Sequence, residues 1–132
     1  MSQKLKHAVH NEEACKYLGA RSDYADWVVT TAFYSALHFV EHKIFPFTHS
    51  KNGRDEMLKN ISDYKKISDP RKSKHELRYD LVVWHCQVIE NQYKWLWDTC
   101  SSARYFDYKF PNPTTTIGLA NSCLKDIKKF CK

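Results

Sequence analysis

Apolar residues recur at three- and four-residue spacing along most of the chain, the periodicity of helices that bury one face. A first helix is predicted over residues 8–19, ending at Gly19. Ser22 or Asp23 offers an N-cap for a second, which runs to about Ile44 before Pro46 stops it. Apolar residues surround that segment from Trp27 to Val40, so it is predicted to be the central helix. From His75 to about Phe106, the residues Leu81, His85, Val88, Gln92, Leu96, Thr99 and Ala103 share one face, predicting a single long helix. Pro111 and Pro113 interrupt the pattern, and one of the following threonines is expected to cap a last helix. That helix carries Ile117, Ala120, Leu124, Ile127 and Cys131 on one stripe, and lysines near its end suit the negative pole of its dipole.

Residues 45–74 are more polar. "HSKNGRDEMLKNISDYKK" suggests a short helix and "SDPRKSK" a basic turn. The fold prediction is therefore all-α: an antiparallel up-and-down bundle of four to five helices, one domain over residues 1–132, with a polar, basic variable segment at about 45–74.

Composition narrows the class. With 132 residues the chain is long enough to bury a core without a disulfide or metal clip, and three glycines and four prolines are too few for a turn-rich all-β fold. A formal charge of +6 favours a polyanionic partner such as RNA, DNA or an acidic protein. The five cysteines form no C-x-x-C pair, which reads as reduced thiols in a cytoplasmic protein. The N-terminal stretch lacks an apolar core, and no apolar run reaches the roughly eighteen residues of a membrane span, so neither export nor membrane insertion is expected.

Three groups of residues carry candidate chemistry. His38, Glu41 and His42 match the H-x-x-E-H order in which two histidines on one helix face bind zinc. A catalytic zinc also needs a third ligand and a cleft, so the reading favours His38 packed in the bundle with Glu41 and His42 at its edge, and no metal or other cofactor. Arg78 and His85 lie two turns apart on one helix face, an arrangement in which guanidinium and imidazole can converge on a phosphate and cut RNA without metal. By spacing alone such a pair is expected about 0.8 times by chance in this composition, and the structural alternative leaves Arg78 exposed with His85 facing the core. Lys65, Lys66, Arg71, Lys72 and Lys74 form a basic run leading into the long helix, where Tyr64, Tyr79 and Trp84 offer stacking surfaces. A solvated loop is the alternative. No glycine-rich phosphate loop or nucleophile elbow is present.

"TTAFYSALHFVE", then "HELR", then "YKWLWDTCSSARYF" together resemble small prokaryotic HEPN-like (higher eukaryotes and prokaryotes nucleotide-binding) proteins. His75, Arg78, Tyr93, Leu96, Ala103, Arg104 and Tyr105 fall on the pattern, with Ser101 or Ser102 near its serine; "SSARYF" is its most specific part. The resemblance spans roughly residues 23–106. It implies an antiparallel helical bundle, often a homodimer, in defence or toxin-antitoxin settings with an antitoxin or other protein partner. Many such proteins are metal-independent ribonucleases using R-x(4-6)-H from each protomer, a spacing that Arg78 and His85 satisfy. Members without a working motif look like binding or scaffolding modules. In this chain Tyr79 follows the arginine where active members usually carry a small polar residue. The resemblance thus implies an RNA-binding domain, either a ribonuclease or a non-catalytic interaction module.

Overall fold

The computed structural model describes residues 2–132 and is mostly helical. Helix α1 spans Gln3–Leu18, with Ser2 as N-cap accepting a hydrogen bond from the Leu5 amide; it starts earlier than predicted. A short 3₁₀ turn, Ser22–Tyr24, leads into α2, Ala25–Ile44, so neither Ser22 nor Asp23 caps the helix as expected. Small side chains set the distance between these two helices. Ala8 of α1 and Ala32, Ser35 and Ala36 of α2 are all fully buried, and the Ser35 hydroxyl donates to the Ala8 carbonyl at 2.7 Å. With no bulk at the contact, α1 packs closely along α2.

The fold is mostly helical, consistent with an all-α bundle, and the predicted polar segment adds a small two-stranded sheet to it. Strands β1, Phe47–Lys51, and β2, Arg54–Leu58, pair antiparallel, with Phe47 opposite Leu58 and Lys51 opposite Arg54. Asn52 and Gly53 form the two-residue turn at φ 53° and 75°, the left-handed pair that matches the twist of a hairpin. Leu58 is buried and Phe47 half-buried, so the open end of the hairpin docks on the bundle while its tip is exposed. Helix α3, Ile61–Lys66, follows, capped by the Asn60 side chain.

The long helix predicted over 75–106 is two helices. Helix α4 covers Lys74–His85, and α5 covers Glu90–Tyr105. Cys86 leaves the helical region at φ −130°, ψ 40°, and Gln87–Ile89 make a 3₁₀ turn. No proline or glycine marks the break; tertiary packing imposes it. Cys86 and Ile89 are both buried at the bend, α4 lies chiefly against α3, and α5 lies on α2 and α6. The bend also turns Val88, predicted to face the core, out to solvent.

Pro113 opens α6, Pro113–Cys131, and the threonines lie inside it instead of capping it. Its predicted stripe of Ile117, Ala120, Leu124, Ile127 and Cys131 is buried. The core is one cluster centred on α2, with Phe33, Phe39 and Val40 against Leu81, Leu96 and Ile127. Among the described residues there are six α-helices, one two-stranded sheet and no helix long and apolar enough to cross a membrane.

Candidate functional site

A capping box fixes the start of α4: the Ser73 hydroxyl accepts from the Glu76 amide, and the Glu76 carboxylate accepts from the Ser73 amide. From that start, Leu77, Arg78, Leu81 and Val82 all turn inward. Arg78 is only 6% exposed. Its Nε donates to Glu41 Oε1 of α2 at 2.8 Å, and its Nη1 donates to His75 Nδ1 at 3.1 Å. Arginine has donors only, so His75 accepts at Nδ1 and carries its proton on Nε2. Burial, then the Arg78 and Arg104 charges, hold the His75 pKa below its ordinary value. Phe33 and Trp97 flank its ring. Tyr93 is buried beside the cluster, and burial pushes its phenol pKa up. Its hydroxyl lies near the Arg78 guanidinium without a hydrogen bond of good geometry. Two expectations are corrected here: Arg78 is buried instead of exposed, and Glu41 is a core residue instead of an edge one.

His85 occupies different surroundings, in the last turn of α4. Its ring centroid lies 4.4 Å from that of Trp84 and 5.0 Å from that of Phe47 on β1. Its Nε2 is buried without a partner, and burial lowers its pKa. Arg78 and His85 therefore share a helix, but no neighbour in common appears among these contacts. A guanidinium held by Glu41 and His75 is not offered to a phosphate at the surface.

The basic run is partly neutralised by its own surroundings. Arg71 pairs with Asp69 at 3.0 Å, Lys72 pairs with Asp80 at 2.7 Å, and Lys65 donates to the Lys72 carbonyl. Lys66 and Lys74 are exposed and make no such contact among the described residues. Tyr64 packs its ring toward Phe47, and the Tyr79 hydroxyl donates to Glu90, so of the proposed stacking rings Trp84, at 62% exposed, is the open one.

The residues of α5 that fall on the resemblance divide along the helix face. Tyr93, Leu96 and Ala103 are buried, while Ser102, Arg104 and Tyr105 face solvent. Arg104 Nη1 donates to the Tyr34 hydroxyl at 2.8 Å, and the guanidinium carbon lies 6.0 Å from the Tyr34 ring centroid and 5.8 Å from that of Tyr105. Phe106 is 87% exposed, and Trp27, Tyr105 and Tyr108 are also open to solvent. A cavity of about 240 Å³ between the start of α2 and the end of α5 is lined by Asp26, Trp27, Thr30, Ala103 and Arg104. A second, of about 370 Å³, lies where Asp23 and Ala25 meet Tyr108, Lys109 and Phe110. This aromatic and cationic corner was only partly legible: Arg104, Tyr105 and Phe106 lie in "SSARYF", whereas Trp27 and Tyr108 carry no local signal of exposure.

On α2, the His38 ring stacks on His7 at 5.0 Å, its Nδ1 is buried without a partner, and burial lowers its pKa against the opposing pull of Glu41. The Ser2 hydroxyl bonds to Nδ1 of His42 at 2.8 Å. Among the described residues no three His, Cys, Asp or Glu side chains are grouped so that they could hold a metal ion. All five cysteines are free thiols, and only Cys123 is not fully buried. No protein-family model, curated protein or solved structure matches this chain.

Proposed function

We propose that the protein is a HEPN-like helical module that binds single-stranded RNA without cutting it. The observation that carries this reading is the exposed corner where Arg104 lies between Tyr34 and Tyr105, with Phe106 open beside them. Nucleobases stack on exposed rings at about 1–3 kcal/mol per base, and cations interleaved with the rings take the phosphates. Arg21, Arg104 and Lys109 stand over Tyr24, Tyr34 and Tyr108 respectively. The chain's +6 charge draws a polyanion toward them. Binding without cleavage is supported by Arg78, whose guanidinium is engaged by Glu41 and His75 in the interior.

A second reading, a non-catalytic scaffold that self-associates or holds a protein partner, is favoured by the carboxylates of the same corner. Asp23 and Asp26 line the cavities that Lys109 and Arg104 also line, and this mixture of signs suits a protein surface. Fluorescence anisotropy with a short labelled single-stranded RNA separates the two. RNA binding predicts affinity that falls as salt rises, and that weakens about tenfold or more in Arg104→Glu and in Tyr105→Ala/Phe106→Ala. Unaltered RNA affinity in both variants overturns the reading. Loss of a concentration-dependent dimer in the same variants, measured by sedimentation, selects the scaffold. Cleavage of mixed RNA that survives EDTA and vanishes in His85→Ala would return Arg78 and His85 to a catalytic role.

A further inference from the structure

We infer that the cleft between α1 and α6 binds a small organic anion with an apolar body, such as a medium-chain carboxylate. The cleft has a volume of about 620 Å³, inside the range of about 300–1,000 Å³ typical of small-molecule sites. It lies on a different pair of helices from the aromatic corner, and no aromatic ring lines it. Cys15, Gly19, Ala20 and Leu124 supply apolar wall. The Cys15 thiol has the Val28 carbonyl and Asn121 Oδ1 as alternative acceptors for its one proton, and burial pushes its pKa up, so it adds no charge.

Charge decides what the cleft takes. Glu12 is the one carboxylate on its walls, and Lys128 already neutralises it at 3.0 Å. Lys16, from α1, and Lys125, from α6, remain as cations with no hydrogen-bond or ion-pair partner among the described residues. They stand on opposite walls, and the Asn121 amide of α6 also lines the cleft. Two unmatched ammonium groups above an apolar wall fit one anionic head and one hydrocarbon body. The charge comes from both walls, so a ligand of this shape bridges α1 and α6. A neutral apolar molecule would leave both ammonium groups unmatched.

Isothermal titration of the full chain with decanoate and with decanol tests this, because the two share a body and differ in head. Decanoate is expected to bind saturably at one site, and decanol about tenfold more weakly, the factor that corresponds to about 1.4 kcal/mol. Lys16→Glu/Lys125→Glu should weaken decanoate about tenfold or more and leave decanol unchanged. Ala20→Trp, which fills the cleft from its rim, should remove both. If charge reversal unfolds the chain by circular dichroism, Lys16→Gln/Lys125→Gln reads the same contrast. Absence of saturable decanoate binding, or equal affinity in the neutralised and native chains, overturns the inference.

Discussion

Replacing Arg78 with alanine removes one half of an ion pair whose side chains are 7% and 10% exposed, leaving the Glu41 carboxylate in the core without its cation. An isolated buried charge is costly because the interior cannot solvate it, and breaking such a pair from one side costs about 3–5 kcal/mol. His75 also loses the donor to its Nδ1. Set against a total stability of about 5–15 kcal/mol for a domain, that is a large fraction, corresponding to a fall in Tm of about 10–20 °C for a chain of this size. Urea unfolding followed by circular dichroism, with Lys72→Ala as control, measures it. Lys72 makes an equally short contact to Asp80 with both side chains 42% exposed, and solvent reduces such a pair to below about 1 kcal/mol. Glu41→Leu/Arg78→Met should recover most of the loss, since removing both partners leaves no stranded charge. If Arg78→Ala costs no more than Lys72→Ala, the guanidinium is not a structural clamp and is free to meet RNA.

Two further outcomes follow from local geometry. Gly53→Val should destabilise the hairpin by about 1–2 kcal/mol, because φ 75° places a β-branched side chain in the left-handed region. Gly53→Asn should cost less, and equal amide-exchange rates in β1 and β2 for both variants would contradict the turn assignment. His38, His75 and His85 are each held below their ordinary pKa with burial as the first cause. The unfolded chain therefore binds more protons, so their contribution is complete above the unfolded value of about 6.5 and is lost as pH falls through the lower folded values. The urea midpoint should drop from about pH 7.5 to about pH 5.5, and less steeply in His85→Phe. An unchanged slope in that variant would show that the buried His85 ring is not one of the groups responsible.

Helix α2 was legible because apolar residues surround it, as a central helix requires, and α6 because its burial is one-sided and periodic, so spacing alone finds Ile117 and Leu124. The hairpin carried a readable signal in Asn52-Gly53, but its strands are polar and mostly exposed, and the apolar alternation that usually marks a strand is absent from "FTHSK" and "RDEML". The division of the long helix at Cys86 had no local mark. It arises because α4 packs on α3 while α5 packs on α2 and α6, and those contacts are long-range.

The buried ion pair was within reach of the sequence by another route. Counted from Leu37, Val40, Glu41 and Ile44 fall at i+3, i+4 and i+7, so a carboxylate occupies the inward stripe of an otherwise apolar helix. Arg78 is placed in the same way among Leu77, Leu81 and Val82 on α4. A single charge on a buried stripe has to find an opposite charge or leave the core. Glu41 and Arg78 answer each other across two helices, as Glu12 of α1 is answered by Lys128 of α6, and pairing lets each helix bury its face. Periodicity treats charged positions as outward by default, and on that rule Arg78 belongs at the surface. The stripe each charge interrupts places Arg78 inside with Glu41, whereas Arg104, beside the buried Ala103 on α5, faces solvent.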